Sequence, residues 1–395
     1  MRYIDEIDVS GKRLFIRVDY NVPLDENRNI TDDNRIRAAL PTINYSLENG
    51  ASVILASHLG RPKGERNPRF SMEPVARRLG ELLGKEVKLA PDCIGPEVAE
   101  MVAALRPGDV LMLENLRFHK EETDDDPEFA KKLAALADVY INDAFAVCHR
   151  RNASVHAITN FARECGAGFL IKNELHYYEK ALEAPKHPVG VIIGGVKISS
   201  KLGALRNLVQ KVDKIFVGGA MANTFLVSQG YNVGKSLVEE DMVEAAGDLI
   251  KDARKRGVAL YLPVDAVVAE RLEKGAPKKE VEINNIPADW QVLDIGPKTV
   301  EEYSNELKDC TTVIWNGPLG AFETEPFDTG TVSIARCLAG LDGLTVVGGG
   351  DTAAALKHAG VEDKVSYIST GGGAFLKLLE GKKLPALEAL EKCGK

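Results

Sequence analysis

Several familiar signatures are missing from this chain, and each absence removes a class of function. The six cysteines, at positions 93, 148, 165, 310, 337 and 393, form no CxxC pair and no His/Cys cluster along the sequence. That spacing argues against a zinc motif or a disulfide framework, so reduced, mostly buried thiols are expected. No window approaches the roughly 18 uninterrupted apolar residues that a membrane-spanning helix needs. The opening MRYIDEIDVS has no basic n-region and no apolar core, so it does not read as a secretory signal, and a cytoplasmic location is expected. Aromatic residues are only 6% and the net charge is −8, which disfavours nucleic acid and anionic membrane as partners. No G-x-G-x-x-G follows the first strand-like run of either half, which speaks against a dinucleotide-binding dehydrogenase. The stretch GYNVGKS, residues 230–236, is one residue short of a Walker A loop, with Gln229 where the first glycine should stand. It reads as a turn ahead of a helix starting near Val238. Protein-kinase motifs and a GxSxG nucleophile are also missing.

What is present is a soluble, globular composition in 395 residues, 45% apolar and 27% charged, long enough for two domains. The two halves differ. Residues 1–170 hold 16 of the 21 arginines but 10 of the 36 glycines, while the remainder holds 22 of the 29 lysines and 26 glycines. Arginine's planar fork suits carboxylate and phosphate, and glycine lets a backbone approach a nucleotide's phosphates. Either the halves serve different anions or the composition simply drifts between domains; counts alone leave both open.

Apolar runs alternate with helix-periodic stretches along the whole chain. In the first half the runs lie at residues 13–23, 52–62, 86–92, 110–118 and 139–145, with helical patterns at 73–84 and 126–137. In the second they lie at 189–195, 213–219, 258–265, 312–320, 344–350 and 365–373. Strands alternating with helices of this length imply βαβ units and mostly parallel sheets. The expected fold is α/β: two Rossmann-like domains, each a mostly parallel sheet flanked by helices, joined by a connecting helix at 169–185. The boundaries expected are 1–170 and 171–395, with the last few residues packing back on the first domain. The acidic run EETDDD, 121–126, immediately precedes a helical pattern, so a helix cap explains it better than a metal cluster.

Glycine pairs or triplets follow an apolar strand at Gly194, Gly218, Gly348 and Gly371. In a parallel sheet the carboxyl ends of the strands share one rim, where ligands bind. Glycine-rich ends on that rim suit backbone amides and helix N-termini meeting an anion. Lys197 and Lys201 stand four apart in GGVKISSKL, on one face if a helix starts there. Asp351 follows GGG and is placed either to cap a helix or to face a Mg²⁺–nucleotide. On the other rim, strand ends carry Asp19 and Asn21, His58 and Arg61, Arg117, and His149 with Arg150, while Arg35 lies in the loop after the first strand. Several arginines and a histidine on one rim make a basic pocket for a small polyanion.

These motifs resemble the phosphoglycerate kinase family essentially end to end. RVDYNVP, SHLGRP, ENLRF, GGVKISSKL, GGAMANTFL, LPVD, DIGPKT, WNGPLGAFE, GGGDT and STGGGAF occur in the family's order. The resemblance implies glycolytic phosphoryl transfer between 1,3-bisphosphoglycerate and ADP, by in-line displacement with domain closure, in a monomer. It implies that Asp19, Asn21, Arg35, His58, Arg61, Arg117 and Arg150 bind 3-phosphoglycerate or 1,3-bisphosphoglycerate. MgADP or MgATP would be held by Lys201, Gly218, Gly219, Asn316, Glu323 (on the ribose), Gly349, Gly350, Asp351 and Thr352, with Asp351 near the Mg²⁺. Arg35, Lys197, Gly350, Gly372 and Gly373 would surround the phosphoryl group in transit. There are departures: AVCHRRN at 146–152 replaces the family's usual Gly-Thr-Ala-His-Arg-Ala-His, leaving Arg150 and Arg151 both eligible for the pocket, Ser200 replaces an aspartate, and Phe375 replaces a serine. The alternative is a catalytically silent paralogue that binds metabolites; loss of Lys197, Asp351 or the paired glycines would mark one, and none is lost.

Overall fold

The computed structural model describes residues 1–393. The chain divides into two compact units, Met1–Leu175 together with the segment from Lys383 onward, and His176–Lys382.

The first unit is built on β1 (Arg13–Val18), β2 (Ser52–Ala56), β3 (Lys88–Leu89), β4 (Val110–Met112), β5 (Val139–Asp143) and β6 (Cys165–Ala167), in the order β3-β4-β2-β1-β5-β6. All neighbours are parallel. β2 and β5 are buried at every position, as in a sheet covered by helices on both faces, which is why they read as unbroken apolar runs. Each strand stops before its apolar run does, and the leftover residues form the loops of the carboxyl rim. β6 escaped the sequence reading because Cys-Gly-Ala is short and has no strand signature. Packing imposes it: a Cβ on Gly166 would lie 2.5 Å from the Ile7 side chain.

The first unit also corrects the expectation of six reduced thiols. Cys165 on β6 is joined to Cys393, which follows the helix Pro385–Lys392, with Cα atoms 6.0 Å apart. A separation of 228 residues hides such a pair from any local spacing rule. Cys93, Cys148 and Cys310 are free and buried, and Cys337 is free and half-buried. The acidic run divides its labour. Asp126 caps the helix Pro127–Ala134 by accepting from Phe129 N at 2.7 Å, whereas Glu122 is buried among polar partners described below.

The second unit has a six-stranded parallel sheet made of β7 (Val189–Ile193), β8 (Lys214–Val217), β9 (Ala259–Tyr261), and, beyond β10 (Asp265–Ala269), β11 (Lys278–Glu282) and β12 (Gln291–Ile295), of β13 (Thr312–Asn316), β14 (Leu344–Gly348) and β15 (Tyr367–Ser369). Its order is β15-β14-β13-β7-β8-β9. The intervening three strands form a separate antiparallel sheet, β11-β10-β12, which the sequence reading did not foresee. The run at 258–265, read as one strand, is two, because Pro263 has no N–H to donate to a ladder. The small sheet has its own apolar cluster, including Leu226, Val233, Ala266, Val268, Ile283 and Ile286.

GYNVGKS is a turn, with Lys235 N donating to Trp290 O at 2.8 Å. The helix after it begins at Val243 rather than near Val238. A 3₁₀ turn, Glu240–Met242, comes just before it, and ahead of that turn Glu239 is extended, its N donating to Thr224 Oγ1 at 3.1 Å and its carboxylate accepting from Ser199 N at 3.0 Å. The connecting helix Phe169–Tyr178 continues into a π-helical turn, Glu179–Glu183. At its start, Asp143 Oδ1 accepts from Leu170 N at 3.0 Å and Ile171 N at 3.3 Å. Gly168 makes room for that carboxyl, since a Cβ there would lie 2.3 Å from it. Burial pushes the Asp143 carboxyl up to about 7.

Candidate functional site

In the first unit the polar rim is assembled by cross-loop hydrogen bonds. Asn21 Oδ1, after β1, accepts from Gly60 N in the loop after β2 at 2.8 Å. Asn115, after β4, donates through Nδ2 to Leu59 O and Phe70 O, both at 2.8 Å, and its Oδ1 accepts from Arg117 N at 3.0 Å. Arg117 Nη1 in turn donates to Gly60 O at 2.9 Å. Asp19 pairs with Arg35, which sits in the first turn of the helix Asn34–Glu48. Asn21 N also donates to Asp19 Oδ1 at 3.2 Å and His58 Nδ1 lies 3.8 Å from that oxygen, so these contacts hold Asp19, Asn21, Arg35, His58 and Arg117 relative to one another. Arg61 follows Gly60 on the same loop and is exposed.

Beneath this rim lies a buried polar layer. Arg17 Nη2 lies 3.2 Å from His58 Nδ1, and Arg17 Nε donates to Ser154 Oγ at 3.0 Å. Ser154 Oγ donates to Glu122 Oε1 at 2.7 Å. A guanidinium can only donate, so His58 Nδ1 is an acceptor and its proton resides on Nε2. Burial, and then Arg17, Arg117, Arg150 and Arg35, hold the His58 pKa well below its usual value. Burial first, then Arg17 and Arg150, lowers Arg117 to about 10. Arg150 therefore acts on both His58 and Arg117; Arg151, exposed as Arg150 is, is among the main influences on neither. Arg150 Nε also meets His149 Nε2 at 3.2 Å. Neither Arg17 nor Glu122 was singled out from sequence, although an arginine inside the apolar strand RLFIRV was a readable signal. Its charge had to be paired or functional.

In the second unit the glycine ends are of two kinds. Gly194, Gly218, Gly219 and Gly317 interlock: a Cβ on Gly194 would lie 2.1 Å from Pro318 O, and one on Gly219 2.6 Å from Gly195 N. On Gly218 it would lie 2.4 Å from Leu319, and on Gly317 2.3 Å from Gly194 O. Gly350 and Gly372, by contrast, face open space: among the described residues, no heavy atom outside the local backbone lies within 4 Å of a Cβ position. They open the helices Gly350–Ala359 and Gly372–Leu379, and Gly373 belongs to that same first turn. Free amide groups at helix starts favour an anion.

Lys201 is half-buried and donates to Asn316 O at 3.1 Å and to Asn316 Oδ1. Burial lowers its pKa to about 8, opposed by Asp351. Asn316 Nδ2 donates to Gly348 O at 2.7 Å, close to Gly349, whose left-handed φ of 100° turns the chain into the helix. Thr352 is buried, donating to Gly348 O at 3.0 Å and accepting from Gly317 N at 2.7 Å, so its hydroxyl is occupied by the backbone. Lys197 and Lys201 do not share a helix face: the helix begins at Leu202, and Lys197 lies exposed in the preceding loop. The loop departs from a helix because Glu239 binds its Ser199 N–H and hydroxyl. Phe375 is buried against Gly348, where a Cβ would lie 2.2 Å from the ring.

Next to Lys201 is a cavity of about 170 Å³, lined by Gly195, Gly219, Leu237, Leu272, Leu293 and Pro318 among others. Its walls are overwhelmingly apolar, and Asn223 and Asp294 are among the few polar side chains on them. No sequence motif marks it, because its walls are drawn from the antiparallel sheet, the helix Met221–Ser228 and the turns around them. Glu323 is exposed two residues beyond Ala321, which also lines the cavity. An apolar slot beside a lysine and open helix N-termini can take a molecule with a flat apolar end and a polyanionic end.

Known proteins share this architecture and sequence. A family model described as phosphoglycerate kinase matches residues 4–382. The phosphoglycerate kinase of Geotalea daltonii is 58% identical over 395 residues, covering 100% of this chain and 99% of that protein. That of Syntrophobacter fumaroxidans is 55% identical over 393 residues, again covering 100% and 99%. The solved structure of phosphoglycerate kinase from Coxiella burnetii superimposes with a TM-score of 0.90 at 41% identity, covering 100% of this chain and 99% of that one. The Pyrococcus horikoshii structure gives 0.86 at 30% identity, covering 99% and 98%.

Proposed function

The chain belongs to the phosphoglycerate kinase family, and on that premise we propose that it transfers the acyl phosphate of 1,3-bisphosphoglycerate to ADP, reversibly, giving 3-phosphoglycerate and ATP. One observation supports the substrate side most strongly. Arg17, Arg35, Arg117 and Arg150 all act on a buried, neutral His58, while the carboxylates acting on Arg117 are Glu122 and Asp19. The excess positive charge calls for an anion. Arg61, Arg117 and Arg150 would hold its phosphate and carboxylate, His58 would donate from Nε2, and Asp19 and Asn21 would position the hydroxyl and the loop.

The second unit takes the nucleotide on this reading. The apolar cavity would receive the base and Glu323 the ribose. Lys201, the turns at Gly218 and Gly219, and the amides near Gly349 and Gly350 would meet the phosphates. Thr352 and Asn316 shape that rim through the backbone bonds described above. Asp351, an exposed carboxylate in the first turn of its helix, fits a Mg²⁺ that arrives with the nucleotide and keeps water and phosphate oxygens as its other ligands. Mg²⁺ there would neutralise charge on the phosphate oxygens.

The transfer needs neither a covalent enzyme intermediate nor a general base, so the protein's task is alignment and charge neutralisation. Arg35, Lys197 and the open amides at Gly350, Gly372 and Gly373 are assigned to the phosphoryl group in transit. The two substrates bind different units, so transfer requires a closed conformation, which also keeps water from the acyl phosphate. Lys197, Asp351 and the paired glycines, which a silent binding protein could lose, are all present.

The test is ADP release from MgATP and 3-phosphoglycerate with a trap for the acyl phosphate, against controls lacking the acid or given 2-phosphoglycerate. Release that depends on the 3-isomer supports the proposal. Binding of both ligands without release would favour the silent protein, and absence of phosphoglycerate binding would overturn the assignment of the first unit.

A further inference from the structure

We propose that Asp92, Cys93 and His119, in the first unit, form a binding site for a thiophilic divalent cation of the Zn²⁺ class. None of the three has a role in the pocket above. The sequence shows no His/Cys cluster because Cys93 and His119 are 26 positions apart, yet the fold brings one oxygen, one sulfur and one nitrogen donor within 4.8 Å of one another. Cys93 lies in the loop after β3, and His119 follows the 3₁₀ turn Leu116–Phe118 that comes after β4.

The geometry is close to what a tetrahedral ion requires. Bonds of about 2.0–2.3 Å place ligand atoms roughly 3.3–3.7 Å apart. His119 Nε2 and Asp92 Oδ1 are 2.7 Å apart, so this pair has to open slightly, and no other pair has to close by more than about 1.5 Å. The donors are already held in place. Asp92 Oδ1 accepts from Cys93 N at 2.6 Å, and the His119 ring packs on Phe129 with centroids 5.3 Å apart.

The imidazole hydrogen-bonds to the Asp92 side chain, and the protonated thiol lies within 4.8 Å of both ligand atoms. A cation would replace those protons, so its affinity should rise with pH. Thiolate, carboxylate and neutral imidazole together balance a dication. Glu121 acts on His119 and Glu122 on Cys93, adding negative field, while Lys132 opposes it. Cys93 is closed to solvent, whereas the His119 and Asp92 side chains are 24% and 36% exposed. The ion would enter from that face and keep water as its fourth ligand. Once bound, it would clamp the loop after β3 to the turn that carries Arg117.

Co²⁺ titrated into the full-length, disulfide-intact protein is the probe, read by thiolate-to-cobalt charge transfer in the near-ultraviolet. The expected result is a band that saturates at one ion per chain and is displaced by Zn²⁺. The band should vanish in Cys93→Ser, its apparent affinity should fall at least about tenfold in His119→Gln, and it should stay unchanged in Cys337→Ser. A Mg²⁺-type site at Asp351 has no thiolate and cannot produce the band. His119 is partly exposed, so His119→Gln keeps the test decisive should the buried Cys93→Ser fail to fold. Absence of the band, its survival in Cys93→Ser, or indifference to His119→Gln would overturn the proposal.

Discussion

The first unit gathers charge on side chains; the second offers backbone. Around His58 the positive groups are guanidiniums from separate elements, with the loops of Gly60 and Arg117 kept in register by Asn21 and Asn115. Around Gly350 and Gly372 the polar groups are helix-start amides that need no side chain at all, with one half-buried lysine, Lys201, in the same unit. The difference suits different ligands. A small, rigid acid phosphate can be recognised from many directions by planar, bidentate donors. A polyphosphate chain on a nucleotide is better met by a close-lying backbone. The second unit also shows that glycines in one rim differ in purpose. Those at 194, 218, 219 and 317 let main chains touch, while those at 350 and 372 leave space.

The largest change expected from a single substitution is kinetic. Lys197→Ala should lower kcat by about 10²–10³-fold with little change in KM, as for removal of one donor to developing charge. A large rise in KM with kcat intact would move Lys197 from transition state to ground-state binding. Next comes the split among glycines. Gly194→Ala should destabilise the protein by about 3 kcal/mol or more, because its Cβ would meet a backbone carbonyl that cannot swing away. Gly350→Ala should change stability by no more than about 0.5 kcal/mol. Denaturant unfolding of both variants checks this, and equal losses would erase the distinction between packing and open glycines.

Two smaller effects depend on pH. The Lys201 pKa is lowered to about 8 by burial. Its charge is therefore lost as pH rises through that value, and MgADP affinity should fall up to about tenfold towards pH 9. Lys201→Arg, which stays charged, should flatten that dependence in calorimetric titrations. Asp143 is the opposite case, a carboxyl raised to about 7. Between about pH 4 and pH 7 the folded state binds more protons there than the unfolded chain, so this group's contribution to stability declines as pH rises. Asp143→Asn should flatten the Tm profile over that window by a few degrees. An unchanged profile would mean that the carboxyl titrates normally.

The parallel sheets and their rims were legible because buried strands read as apolar runs that end at turn residues. Three things were not. The antiparallel sheet at 265–295 was hidden because its strands include the charged KKEVE, whose residues are mostly exposed. Long-range pairs such as Cys165 with Cys393 leave no local trace. The lysine spacing in GGVKISSKL suggested a helix face, but a tertiary contact from Glu239 overrode the local pattern. Within the site, the charged groups of the rims could be read from sequence. The buried Arg17–Ser154–Glu122 layer that orients His58 needed the fold to bring residues from distant segments together.

The division of labour between the two units is best tested by titrating 3-phosphoglycerate and MgADP separately into wild type, Arg61→Ala and Lys201→Gln. Arg61→Ala should weaken 3-phosphoglycerate by about tenfold or more, the worth of a hydrogen bond to a charged group, and leave MgADP unchanged. Lys201→Gln should do the reverse. If either variant weakens both ligands equally, or if Arg61→Ala weakens only the nucleotide, the two rims do not have the separate roles assigned to them.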